Sequence, residues 1–249
     1  MGEYGDGADC EGIAPDHLMS WLQTIFASLL GTAVGSSVTG MIAARNEDKR
    51  KQTLIIEGLT SVRTELLIAA NRVTSSILSA RMAMHTGQLP PIGDDLTLMY
   101  RTHASILHVN LSAKNMLFIT AAYSSLGIYA QGRSVKDHPS QFSFTYGLYM
   151  NTLNAIYNSY VLLGEILLSK YKTIPSEFPV FYLGAHAVCQ ACDAELVNFK
   201  NTPLVNSGGD KRAAIRNDIR NVKAIADGLM KGMEEKGYKP TKLEISPNS

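Results

Sequence analysis

Residues 18–44 read LMSWLQTIFASLLGTAVGSSVTGMIAA and contain no charged side chain. At about 1.5 Å per helical residue such a run reaches roughly 40 Å, more than the ~30 Å hydrocarbon core of a bilayer. The stretch therefore predicts one transmembrane helix. Glu3, Asp6, Asp9, Glu11 and Asp16 precede it without a single Lys or Arg, while Arg45, Lys49, Arg50 and Lys51 follow it. An acidic start does not fit a signal peptide, which opens on a basic region. The positive-inside tendency puts the basic exit in the cytoplasm and the acidic tail outside. The alternative is a buried helix of a soluble bundle, because Ser20, Gln23, Thr24, Ser28, Thr32, Ser36, Ser37 and Thr39 leave the run only moderately apolar.

Position within the run carries further information. Ala27, Gly31, Gly35 and Thr39 recur every four residues. Small residues on one helix face let neighbouring helices approach closely in lipid, so this face is the expected oligomer interface. Ser20, Thr24, Ser28 and Thr32 form an adjacent stripe. Hydroxyls gain nothing from lipid, so these are the candidate pore-lining residues of a homo-oligomer. In such an assembly Glu3, Asp6, Asp9, Glu11 and Asp16 would ring the outer mouth and concentrate cations, with Glu47 and Asp48 at the inner one. The plainer reading of these acids is a solvated tail.

Beyond the run, the 249 residues carry a formal charge of +1 and 45% apolar residues, enough for one sizeable core. No Pro or loop cluster interrupts the chain between Ala44 and Thr53, so the first helix is expected to run on. Ile55, Leu59, Val62, Leu66, Ala69, Val73 and Ala80 keep the spacing of a bundle seam. Gly87, Pro90 and Pro91 stop it. Asp94 or Asp95 is the expected cap of a second helix reaching about Tyr129, with Met99, Thr102, Ile106, Val109, Ala113, Met116, Thr120 and Tyr123 facing the core. Further helices are predicted over 142–171 (seam Leu153, Ile156, Tyr160, Leu163, Leu167), 180–200 and 210–236. No strand pattern appears. The expected fold is all-α: one N-terminal transmembrane helix continuing into an antiparallel cytosolic helical bundle. The expected domains are an acidic extracytoplasmic tail at 1–17, the transmembrane helix at 18–44, the bundle at 45–236 and a flexible tail at 237–249.

Two constellations could carry chemistry. Arg212, Arg216 and Arg220, with Lys223 close behind, line one face of the last helix. Guanidinium groups pair well with phosphate oxygens, so the ladder is the candidate phosphate-binding site. The competing reading is a solvated face paired with Asp218, Asp227 or neighbouring acids. Tyr100, His103, Tyr123 and Tyr157 could stack bases, although aromatics at helical spacing more often pack in a core. His186, Cys189 and Cys192 look metal-like, but on a helix the outer two diverge, so packed thiols are expected and no metal site. There is no phosphate-binding Gly loop, nucleophile elbow or HExxH. Neither enzyme activity nor a cofactor is expected.

The architecture, from the acids Glu3 to Asp16 through Leu18–Ala44 to the helical remainder, resembles bacterial anti-phage membrane effectors, the effector family of the Hailong system among them. The resemblance implies a bacterial inner-membrane protein with its C-terminal domain in the cytoplasm. It implies a tetrameric cation-conducting pore held shut by single-stranded DNA oligomers, with Arg212, Arg216 and Arg220 as first candidates for phosphate contacts. Two functions follow: a ligand-gated channel effector regulated by a nucleotide or oligonucleotide, or a membrane-tethered scaffold or sensor without a pore.

Overall fold

The computed structural model describes residues 15–80, 94–130, 141–171, 178–201 and 209–240. They form α1 (Pro15–Leu78), a 3-10 turn (Asp94–Thr97), α2 (Leu98–Asn110), α3 (Ala113–Ala130), α4 (Gln141–Tyr171), α5 (Pro179–Asn201) and α6 (Gly209–Glu235). Among the described residues there is no strand, so the all-α expectation holds. The chain divides into two compact units, Met1–Thr53 and Leu54–Ser249.

The first unit is described from Pro15 as helix. Pro15 stands at the first helical position, where its missing N–H has no partner to lose. No helix among the described residues is long and apolar enough to cross a membrane. The described residues therefore add no support to the transmembrane character expected of residues 18–44. The acids Glu3, Asp6, Asp9 and Glu11 lie outside the described residues, as does most of the tail at 237–249. Asp16 and Gly31 lie in α1 but outside its described side chains.

The second unit is a helical bundle. α4 packs against α3, α5 and α6, and α5 against α6. The seam predicted for α1 is largely the observed one: Leu59, Val62, Leu66, Ala69, Val73 and Ala80 are buried, and Ile55 packs against them half-buried. So are Leu153, Ile156, Tyr160, Leu163 and Leu167 of α4. Each fully buried Leu or Ile contributes about 1.5–3 kcal/mol, which is why these seams fix the bundle.

The single helix expected over 94–129 is in fact two. α2 ends at Asn110, with Leu111 its extended C-cap, and Ser112 starts α3 by accepting the Asn115 N–H through its hydroxyl at 3.3 Å. Of the face predicted for the core, Met116 and Tyr123 are buried and Ile106 partly so, but Met99, Thr102, Val109 (84%), Ala113 and Thr120 are exposed, and Leu107, Leu111, Ile119, Ala122 and Leu126 are buried instead. The expected Asp cap is also not what holds α2. Its N-cap is Thr97, which makes no side-chain cap bond. The buried carboxylate of Glu65 on α1 takes that role, accepting the N–H groups of Met99 at 2.8 Å and Tyr100 at 3.0 Å.

α6 ends in a Schellman turn. Gly237 has φ +89°, the Gly237 N–H donates to the Glu234 carbonyl and the Tyr238 N–H to that of Met233. Tyr238 then packs against Phe178 and Tyr182. The ordered domain therefore extends past the predicted boundary at 236.

Candidate functional site

Between Ser20 and Thr53 every side chain that is described is exposed. Ala27, Gly35 and Thr39 of the predicted interface are exposed, as are Ser20, Thr24, Ser28 and Thr32 of the hydroxyl stripe. A Cβ added at Gly35 or Gly40 would meet nothing within 4 Å. Large apolar side chains stand out beside them, with Phe26 64% and Met41 72% exposed, and Val38 and Ile42 half exposed or more.

The hydroxyls have an assignment that periodicity did not show. Thr24 donates to the Ser20 carbonyl at 2.9 Å, Thr32 to Ser28 at 2.5 Å and Thr39 to Gly35 at 2.7 Å. Each threonine thus spends its proton on the preceding turn of its own helix. Such a hydroxyl can sit in an apolar surrounding without a second helix or water. Below them Arg45, Lys49, Arg50 and Lys51 are all exposed, and Lys51 pairs with Glu47 at 2.8 Å. That hydrogen bond raises the Lys51 pKa and lowers that of Glu47.

The Arg ladder of α6 is only partly a ladder. Arg212 donates to the Phe199 carbonyl, and its guanidinium lies 4.8 Å from the Phe199 ring centroid. Arg216 lies 5.9 Å from the same ring. Both cations therefore converge on the last turns of α5, where the aromatic face attracts them. Lys223 pairs with Asp193 at 2.5 Å, which raises its pKa. Arg220 is exposed. The structure brings Arg212 and Arg216 together and draws Lys223 to an acid of another helix. The partner is Asp193, not the Asp218 or Asp227 nearer in sequence.

The aromatic candidates for base stacking pack inside the bundle. Tyr123 stacks on Tyr100 with centroids 4.2 Å apart and donates to Glu65 at 2.6 Å. Burial, then the Glu65 hydrogen bond, holds its hydroxyl far above the ordinary tyrosine range. Tyr157 is buried between Phe178 and Phe181. His103 packs on the Gly58 backbone.

Cys189 and Cys192 are buried free thiols, as expected for packed cysteines, and His186 stacks on Tyr182. No group of three metal-ligating side chains comes together among the described residues. Cys189 donates to the Asp227 carboxylate at 3.1 Å. Burial pushes both thiols up, Cys192 to about 12, since a thiolate there would be desolvated beside acids. Both are thus expected to resist a thiol reagent at pH 7.5 and to react only as denaturant unfolds the bundle. In a Cys10→Ser background, which leaves only these two thiols, rapid labelling of the native chain would contradict this placement.

Glu65, Arg63 and Phe199 are the functional or anchoring residues that sequence reading missed. None belongs to a spacing pattern, and each acts through a partner far along the chain or on another helix. No protein family, no curated protein and no solved structure matches the chain.

Proposed function

We propose that the chain is a membrane effector. In this reading its charge-free N-terminal helix anchors it in the bilayer and assembles copies into an ion channel. A nucleotide or oligonucleotide bound to the helical bundle regulates that channel. The observation that carries the reading is the exposure of Phe26, Val38, Met41 and Ile42 on a helical stretch with no charged residue from Leu18 to Ala44. Apolar side chains displayed in this way need lipid or another copy to cover them. The open approach at Gly35 and Thr39 suits the second option, and the basic group at 45–51 suits a cytoplasmic exit from the membrane. The cation-conducting tetramer, the single-stranded DNA oligomer and the place in anti-phage defence come from the resemblance.

Reconstitution of the full chain in planar bilayers tests the channel. Discrete conductance steps are expected, reduced or raised by short single-stranded DNA. Glu at Arg212, Arg216 and Arg220 together is expected to weaken that effect by at least about tenfold, because three phosphate contacts would become repulsions. Conductance absent with and without oligonucleotide would remove the channel reading.

One observation favours the tether without a pore. The back-bonded threonines at 24, 32 and 39 need no aqueous passage. Cysteine crosslinking along residues 20–40 in membranes distinguishes the two, since products limited to dimers cannot enclose a pore.

A further inference from the structure

The N-terminal part of α1 carries two rows of residues at a four-residue step. One holds Ala27, Gly31, Gly35 and Thr39, and the same step carries it on to Glu47 and Lys51. The other runs from Trp21 through Ile25, Leu29 and Met41 to Arg45 and Lys49. At 3.6 residues per turn the two rows lie about 160° apart at every level of the helix. If copies meet through the small residues of the first row, the second faces away from them, toward lipid. Trp21 and Arg45 are 24 residues apart. That separation is about 36 Å of helix, a little more than the ~30 Å hydrocarbon core, so both ends of the row come to head-group level. Trp is favoured there, and long basic side chains reach it by extending.

Arg45 and Lys49 stand one turn apart at the end of this second row, and both are exposed. Neither side chain has a hydrogen bond or an ion pair among the described residues. The two acids of the segment are engaged with Lys51 on the opposite row. Glu47 pairs with Lys51 at 2.8 Å, and the charge of Asp48 acts on it as well. Arg50, also exposed, adds a third cation beside the row. One turn before Arg45, Met41 is 72% exposed, with Val38 and Ile42 exposed on either side of it. The row thus reads apolar and then cationic, the order in which a phospholipid presents its acyl chains and its phosphate.

We propose that Arg45 and Lys49 bind the phosphate head group of an anionic phospholipid whose acyl chains lie along Val38, Met41 and Ile42. The site rests on the reading of α1 as a membrane anchor. Charge complementarity selects the lipid: a choline head group brings its own ammonium, whereas an anionic head group leaves the phosphate to the two side chains. Each basic side chain near an anionic membrane surface contributes about fivefold in affinity.

The test uses the full chain, reconstituted into phosphatidylcholine vesicles with a minor share of phosphatidylglycerol. The chain is then purified in mild detergent, and the lipid retained with it is quantified by mass spectrometry. Retained lipid is expected to be enriched in phosphatidylglycerol about fivefold or more over the vesicles. Arg45→Gln/Lys49→Gln is expected to lower the enrichment to about twofold or less. Lys114→Gln/Lys239→Gln removes the same charge from exposed positions of the second unit and is expected to leave it unchanged. No enrichment in the unaltered chain, or the same loss in both double variants, would overturn the proposal. So would displacement of the retained lipid by inorganic phosphate or short single-stranded DNA, which would assign the cations to a soluble anion. Carbonate extraction of the vesicles separates the two readings. A chain that stays in the membrane without enrichment overturns the lipid site alone, and a chain that is released overturns the anchor and the lipid site together.

Discussion

Replacing Glu65 with Ala is expected to destabilise the bundle by about 3–5 kcal/mol, the usual cost of removing the charged member of a buried polar cluster. One carboxylate accepts three hydrogen bonds, from the Met99 and Tyr100 N–H groups and from the Tyr123 hydroxyl. Met99 and Tyr100 are the second and third residues of α2, the positions whose N–H groups an N-cap side chain ordinarily satisfies. The carboxylate also meets the positive end of the α2 dipole. Without it, two helix-terminal donors and a buried phenol lose their acceptor together. Glu65→Gln retains an acceptor of the same size and should cost less, about 1–2 kcal/mol. Tyr123→Phe removes one bond and should cost about 1 kcal/mol. Urea unfolding of the full chain, followed by circular dichroism, gives all three values. The Glu65→Ala/Tyr123→Phe double variant should fall short of the sum, since both substitutions remove the same contact. A loss under about 1 kcal/mol for Glu65→Ala would show that water replaces the carboxylate and that the node does not hold α2.

Gly184→Val is expected to have an effect of similar size with the opposite physical cause. A Cβ at Gly184 would lie 2.7 Å from the Thr74 hydroxyl oxygen and 2.8 Å from a Leu153 methyl. The methyl ends a flexible side chain and can move. The hydroxyl cannot move freely, because it donates to the Val180 carbonyl one turn earlier on the same α5. Overpacking of this kind costs about 1–3 kcal/mol for a single added methyl, and more for the branched Val. For Gly184→Ala the higher helix propensity of Ala offsets about 1 kcal/mol of that. Gly184→Ala should therefore be mildly destabilising and Gly184→Val severely so in the same unfolding measurement. Thr74→Ala should partly rescue Gly184→Ala by removing the atom in the way. If Gly184→Ala stabilises the chain, α1 and α5 have more room here than the structure gives them.

Both sites bear on how the fold and candidate site are written in the chain. The seam of α1 from Leu59 to Ala80 was legible because its apolar residues repeat at bundle spacing and no breaker intervenes. The start near 180 and the stop at 236, before Gly237, were legible for a similarly local reason, since φ and N–H count are properties of one residue, whereas the start at Pro15 fell within the expected tail at 1–17. The break at Leu111–Ser112 was not, because Ser112 competes with helix continuation only once the core chooses Leu107 and Leu111 over Val109. Among the site residues, spacing alone puts the small residues and the hydroxyls of α1 on adjacent faces. That Thr24, Thr32 and Thr39 turn back on their own helix needed coordinates, because rotamers decide it.

The sequence by itself determined helices without strands, a charge-free first stretch with acids before it and bases after it, and which faces of α1 and α4 carry the core. These rest on period, charge and single-residue stereochemistry, all local properties. The tertiary structure alone decided that Glu65 caps α2 from 34 residues away. It decided that Arg212 and Arg216 gather on Phe199 and Lys223 on Asp193, so that the basic face is partly engaged. It also decided that Arg63 and Lys236, far apart in sequence, share one cavity. Charges and hydrogen-bonding groups choose partners by distance in space, and spacing along a helix says which face a residue occupies but not what lies opposite.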